Sequence, residues 1–516
     1  MNLTAARFPR ILLTCALALA AGCSAKQPAS LGVAAQYWPT HGWRHSSPEA
    51  QGMDSATLAE AFDFIRERRI PIHSLQIARN GFLVLDAYFW PFEDGQLHDL
   101  ASVTKSVTST LVGIAIGQGK LRGVDQPLLS AFDRKSIANR DAQKERVTLG
   151  HLLTMTSGLD CRFDHGEITL SQMMASPHWV QFMLDLPIAA EPGREFEYCS
   201  GAMHVLSAVV ARATGTTTLD YARHELFAPL GIEHAAWPAD PQGVNYGWGD
   251  LHLQPRDMAK LGHLWLHGGR WEDRQVVPAN WMRAAVQVHS HPGWSDGQEY
   301  GYAIWVYPDR NPPVFEGLGR GGQRISVMPA ANLVVVFTGG GFEPGDIGAF
   351  IGHALASERP LPDNPAAAAR LAAAVRDALK PPLASATLPA PPLAAVISGS
   401  TYTFEDNPIG LKSLSLSFPG GAEASLLLDL GDRTDGPRPV GLDGVPRLSP
   451  GGRFGLPVAL CGAWEGDDTF VFDYDEVGNI NSYRFRLRFS GRQVAAELAE
   501  RTGLVEALFR GTSNSS

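Results

Sequence analysis

Ser102 and Lys105 stand three residues apart in Asp99-Leu100-Ala101-Ser102-Val103-Thr104-Lys105-Ser106, a spacing that puts both side chains on one face of a helix. A serine hydroxyl is a weak nucleophile until a base removes its proton, and a lysine amine does this when burial or nearby positive charge keeps it neutral. The first turn of a helix adds backbone N–H groups aimed where an oxyanion forms. The chemistry expected is acyl transfer, with Ser102 as nucleophile and Lys105 as its base. The tetrapeptide alone is a weak signal, but Lys105 is the one lysine in the chain with serine three places before it.

Competing constellations are poorer. His263 and His267 have the i, i+4 spacing of a metal pair, yet no Glu follows His263 and no third ligand suggests itself, so they read as ordinary helix histidines. No metal and no cofactor is implied. A formal net charge of −10 offers no footprint for nucleic acid.

The elements that must position Ser102 can be read around it. Asp54 is placed to cap a helix running through Arg69, with Leu58, Ala61, Phe62 and Ile65 on one apolar face. Strand patterns at His73–Arg79 and Phe82–Trp90 flank Asn80-Gly81, a hairpin signal. Helical patterns follow at Ser102–Gly119, Met203–Thr214 and Pro255–Gly268. Strand patterns return at Tyr300–Tyr307, Arg324–Met328 and Leu333–Thr338, before a helix around Ile347–Ala356. Strands at both ends with helices between them predict an α/β sandwich: one antiparallel sheet with an inserted helical region.

The chain is too long for one core, and 45% hydrophobic with 19% charged residues suits a globular protein. Residues 1–22, with Arg7, Arg10 and the apolar run Ile11–Ala21, have the layout of a secretory signal. Leu19-Ala20-Ala21-Gly22-Cys23 resembles a bacterial lipobox, which predicts a periplasmic protein lipidated on Cys23; plain secretion is the alternative. Any membrane attachment would then be through that anchor alone, since no later apolar run is long enough to span a bilayer. Residues 23–48 form a polar tether, 49–358 the chemical domain, and 359–397 an Ala/Pro-rich connector. The stretch 398–510 predicts an antiparallel β-barrel-like domain, with Arg484, Arg486 and Arg488 on the solvated face of one alternating strand. In an oxidising compartment Cys161 and Cys199 are the preferred disulfide pair, with free thiols at Cys161, Cys199 and Cys461 as the other possibility.

Three motifs in order, Ala-Ser-Val-Thr-Lys-Ser at 101–106, Leu149-Gly150-His151-Leu152-Leu153-Thr154-Met155-Thr156-Ser157-Gly158-Leu159 and Glu191-Pro192-Gly193-Arg194-Glu195-Phe196-Glu197-Tyr198-Cys199-Ser200, resemble class C β-lactamases, penicillin-binding proteins and the related esterases and 6-aminohexanoate-dimer hydrolases. The segments Leu226–Ile232 and Pro255–Gly262 extend the resemblance, which runs from about Ser47 to Ser357. It implies a β-lactamase/transpeptidase-like sandwich and makes Tyr198 a proton shuttle between the serine oxygen and the leaving group. Ser200 stands where the family has Asn, which loses an amide that both donates and accepts. The family's Lys-Thr-Gly element aligns with Gly319-Arg320-Gly321. This leaves Gly319 where the family has its short-reach cation, with Arg320 either replacing that cation or pointing away, and makes Gly321, Gly322 and Gln323 the edge expected to complete the oxyanion hole, through the N–H of Gly322 or Gln323.

The resulting expectation is a serine hydrolase that cleaves a small ester or amide through a Ser102 acyl-enzyme, with no protein partner implied. A β-lactamase or D-alanyl-D-alanine peptidase is the enzymatic alternative. A non-catalytic envelope-binding lipoprotein is the alternative from another class.

Overall fold

Asn80 and Gly81 both adopt positive φ, 53° and 81°, the backbone that a two-residue hairpin with the right-handed strand twist requires. They join the strands Ile72–Arg79 and Phe82–Tyr88. The computed structural model describes residues 37–162, 167–294, 297–387 and 389–513. The predicted signal, Cys23 and most of the tether therefore lie outside the described residues. Among those described, no helix is long and apolar enough to cross a membrane.

Ile72–Arg79 also pairs antiparallel with Leu333–Gly339, so the two ends of the domain meet in one sheet. The seven-stranded sheet continues through Gln323–Met328, Val314–Gly319, Trp305–Tyr307 and Glu299–Tyr300. The single strand expected over Tyr300–Tyr307 is broken at Ala303, whose φ is 53°. The strand Val314–Gly319 was not anticipated, because Gly317 and Gly319 depress a strand signal. Their role is steric. A Cβ on Gly319 would fall 2.6 Å from Leu100 O, and one on Gly317 would fall 3.1 Å from a Val103 methyl. The helix Val103–Gly117 thus rests directly on this strand's backbone.

Side chains alternate through the sheet as the pleat dictates. Val334 and Val336 enter the core beneath Val103–Gly117 and Pro255–Leu266. Val335 and Phe337 enter a second core with Phe62 and Ile65 of the helix Ser55–Arg68 and Ile347 and Ile351 of the helix Gly345–Ala354. Asp54 caps the first of these helices, accepting from the backbone N–H groups of Ala56 and Thr57. The expected connector contributes to this layer too. Its helix Pro365–Ala378 buries Leu371 in the second core, so residues 365–378 are a structural part of the chemical domain rather than a spacer.

Beyond the helix Pro392–Ile397 the chain is a ten-stranded antiparallel sheet, Thr401–Ser513. The strands Thr434–Gly441 and Val458–Glu465 meet again at Gly441 and Cys461, which closes a barrel. In Ser482–Ser490, Phe485, Leu487 and Phe489 are buried while Arg484 faces out to Asp473 on the neighbouring strand and Arg486 to Glu465 one strand further on. Trp38–Ser516 forms one compact unit that includes both the sandwich and the barrel.

Candidate active site

Asp99 reaches forward to fix the turn that delivers Ser102. Its Oδ1 accepts the N–H of Ala101 at 2.7 Å, and Ala101 takes a φ of 45°, rare for a residue with a Cβ. Leu100 N–H donates to Leu251 O at 2.8 Å, and Thr104 N–H returns to Ala101 O at 3.1 Å. Ser102 therefore stands at the cap position of Val103–Gly117.

One turn along, Lys105 Nζ donates to Ser102 Oγ at 2.8 Å and to Trp248 O at 3.1 Å. Lys105 is 1% exposed, and burial pushes its ammonium down to about 8, against the pull of the Glu167 and Asp250 carboxylates in the other direction. The amine also lies 4.7 Å from the centre of the Tyr198 ring. Burial raises the Tyr198 hydroxyl well above an ordinary phenol, Glu167 adds to that, and contact with Ser102 opposes it. Tyr198 stacks on Trp305, 6.0 Å between centres. Its neighbour Cys199 is bridged to Cys161. The three groups expected to do chemistry are thus brought together, with a partly deprotonatable amine against the hydroxyl it would activate.

Other expected site residues fall elsewhere. Ser200 is buried at the start of the helix Ser200–Thr214, and its Oγ has no partner among the described residues. Its N–H donates to Glu167 Oε1 at 3.1 Å. Glu167, which lines the cleft itself, was not singled out in the sequence, where nothing but its tertiary position marks it. Gly321, Gly322 and Gln323 are not among the residues that line the cleft. Gly321, at φ 79°, turns toward Ile480, Gly322 backs onto the Phe342 ring, and the Gln323 amide is spent on Gly339, donating to its O at 2.6 Å and accepting its N–H at 3.0 Å. The segment at the cleft is Leu318-Gly319-Arg320 instead. Arg320 does reach the wall, but its guanidinium donates to Asn481 Oδ1 at 2.7 Å, to Glu500 Oε1 at 3.4 Å and to Thr502 Oγ1, all on the barrel.

The cleft in front of Ser102 has a volume of about 590 Å³. Trp248, Trp294 and Trp305 give it an aromatic side, and barrel residues supply another. His263 and His267 are remote from it, set 4.3 Å apart beside Trp38. Among the described residues, no group of three or more His, Cys, Asp or Glu could hold a metal ion.

An antiparallel sheet faced by helices, with a Ser-x-x-Lys pair at the start of a core helix and a tyrosine above it, defines a serine-hydrolase class of protein. The family described as Beta-lactamase matches residues 49–356. This is more than half of the chain, which belongs to that family of serine hydrolases. The chain is 23% identical over 280 residues to the 6-aminohexanoate-dimer hydrolase of Paenarthrobacter ureafaciens, covering 50% of this chain and 70% of the relative. It is 28% identical over 236 residues to esterase EstB of Burkholderia gladioli, covering 41% and 60%. Among solved structures, a putative 6-aminohexanoate-dimer hydrolase from Bacillus anthracis superposes with a TM-score of 0.50 at 18% identity, covering 67% of this chain and 88% of that one. The last likeness concerns the fold alone.

Proposed function

We propose that this protein hydrolyses a small carboxylic ester or linear amide through a Ser102 acyl-enzyme. The observation that carries the reading is the 2.8 Å contact between Lys105 Nζ and Ser102 Oγ, made by an amine that burial has brought down to about 8. Neutral Lys105 takes the hydroxyl proton as Ser102 Oγ attacks the carbonyl carbon. The oxyanion forms against the N–H at the start of Val103–Gly117 and the backbone at Leu318–Arg320. Tyr198 relays that proton from Lys105 to the departing oxygen or nitrogen, and water then attacks the acyl-enzyme, giving its proton to the same groups, so that the acid is released and Ser102 Oγ is reprotonated. The relatives named esterase EstB and 6-aminohexanoate-dimer hydrolase support this substrate range.

Against a β-lactamase or D-alanyl-D-alanine peptidase stands the engagement of Arg320 with Asn481 and Glu500, which leaves no cation at the Lys-Thr-Gly position to grip the carboxylate of a penicillin. Against a non-catalytic binding lipoprotein stands the placing of the buried Lys105 amine on Ser102 Oγ at 2.8 Å, with Tyr198 beside it. The deciding experiment measures purified protein on nitrophenyl butyrate, nitrocefin and a linear amide, beside Ser102→Ala. Ester or amide turnover lost in the mutant is expected. Nitrocefin as the better substrate by a wide margin, or turnover that survives Ser102→Ala, would refute the reading.

We further infer export and lipidation at Cys23, supported by the lipobox-like run before it. Detergent-phase partition and an acylated N-terminus by mass spectrometry are the expected results, and an unmodified mature N-terminus would leave plain secretion.

A further inference from the structure

The cleft at Ser102 has a side that the family domain does not provide. Arg453, Asn479, Ile480, Asn481 and Leu504, all on the barrel, line it. The barrel is seated there by specific contacts. Gly478 O accepts the N–H of Asp99 at 2.7 Å, three residues before the nucleophile. A Cβ on Gly478 would fall 2.6 Å from Leu97 O, so the turn comes this close only as glycine. Tyr88 and Phe92 share a small core with Ala459 and Val477 across the same contact.

Arg453 arrives on a different turn. Gly452 N–H donates to Leu456 O at 2.7 Å and Leu456 N–H to Arg453 O at 3.1 Å, which closes the loop on itself. Phe454 sits in the left-handed region at φ 57°, a strained state that persists only where surroundings hold it. The surroundings here are the His252 ring, 5.2 Å away and edge-on, two residues from Asp250 in the cleft wall. Other arginines of the barrel are committed: Arg438 to Asp435, Arg447 to Glu423 and Asp443, Arg484 to Asp473. Arg453 has no ion pair and no side-chain hydrogen bond among the described residues, and its guanidinium lies 4.7 Å over the Phe454 ring. Burial works against its charge, but Asp250, Glu476, Tyr483 and Asp99 face it from a distance and raise it above an ordinary guanidinium.

We propose that Arg453 is a specificity-determining residue that receives a carboxylate on the substrate, so that the enzyme selects esters or amides bearing an acidic group a short chain from the scissile carbonyl. A planar guanidinium fork held at a cleft wall by aromatic contacts, its donors uncommitted, suits bidentate capture of a carboxylate. The carboxylates beside it do not compete for the role of reading a cationic substrate. Asp99 is engaged with the Ala101 N–H, and burial together with Asp99 raises the Asp250 carboxyl and weakens it as a fixed anion. The proposal rests on the reading of Ser102 as the nucleophile, and it makes the barrel a working wall of the active site.

The test compares nitrophenyl esters of butyric, glutaric and 4-aminobutyric acids, the second carrying a free carboxylate and the third an ammonium group. In the wild type the glutarate ester is expected to exceed the butyrate ester in kcat/KM by about tenfold, mainly through KM. In Arg453→Ala that ratio falls to about one, and in Arg453→Glu the aminobutyrate ester becomes the best of the three. A ratio unchanged in Arg453→Ala, or a wild-type preference for the aminobutyrate ester, overturns the proposal. A second measurement does not need turnover: calorimetric titration of Ser102→Ala protein with monomethyl glutarate, with and without Arg453→Ala. Binding that disappears with Arg453→Ala supports the carboxylate subsite even if no ester is cleaved, in which case the catalytic reading alone fails. No binding to the Ser102→Ala protein, with butyrate hydrolysis intact in the wild type, removes the subsite and leaves the catalytic reading standing.

Discussion

Asp99 Oδ1 accepts the N–H of Ala101 at 2.7 Å, and the backbone N–H of Asp99 in turn donates to Gly478 O of the barrel at 2.7 Å. The nucleophile's turn is therefore held from its own side by a carboxylate and from the far domain by a carbonyl. Removing the carboxylate leaves a buried N–H unpaired beside an already strained residue. Asp99→Ala is expected to destabilise the protein by about 1–3 kcal/mol and to lower kcat by tenfold or more, because Ser102 is released from its position. Asp99→Asn, which keeps one acceptor, recovers part of both. Thermal melts and steady-state kinetics check this, and an Asp99→Ala enzyme with wild-type kcat would show that Ala101 needs no anchor.

Lys105 sets the acid limb of the pH profile. Its ammonium titrates at about 8, and only the neutral amine can take the Ser102 proton. The efficiency on a neutral ester should rise about tenfold per pH unit from about pH 6 to about pH 8 and then level off. The Glu167 carboxylate holds the lysine up, so Glu167→Gln should move this limb to lower pH. Lys105→Arg should be inactive, since a guanidinium stays charged. A flat wild-type profile, or a limb that moves the opposite way in Glu167→Gln, contradicts lysine as the base.

The Cys161–Cys199 bridge closes a loop with a sequence separation of 38 and is attached to Tyr198 through the chain. Chain-entropy reasoning gives it roughly 4 kcal/mol against the unfolded state. Reduction, or Cys161→Ser with Cys199→Ser, is expected to lower the melting temperature and to reduce activity as Tyr198 loosens. Thiol labelling of denatured, unreduced mature protein should find Cys461 and neither Cys161 nor Cys199.

The helix Pro365–Ala378 should behave as part of the chemical domain. Leu371 is 5% exposed in a core shared with Phe62 and Ile65. Leu371→Ala is expected to cost about 2–4 kcal/mol in chemical denaturation. The exposed Arg370–Asp63 pair, by contrast, should contribute under about 1 kcal/mol. A Leu371→Ala protein as stable as the wild type would return residues 359–397 to the status of a spacer.

Local geometry explains what the sequence determined by itself. A helix brings residues three apart onto one face, so the Ser102–Lys105 contact was written in the spacing. Asn80-Gly81 selects the hairpin, and strict alternation at Arg484–Phe489 selects a half-buried strand. Only the tertiary structure decided the rest. The second acceptor of Lys105, Trp248 O, is 143 residues away, and Asn481, which turns Arg320 from the substrate to the barrel, is 161 away. Neither contact leaves a periodic trace in the chain. Motif alignment placed Arg320, Gly321, Gly322 and Gln323 at the reacting centre because it counts residues along a strand. The backbone turns at Gly321, so the count passes the cleft at Gly319 while the following residues serve Gly339, Phe342 and Ile480. Glu167 and Arg453 enter the cleft on segments with no motif of their own: Glu167 is brought there by the packing of the helical region, at Ser200, and Arg453 by the closing of the barrel against the sandwich.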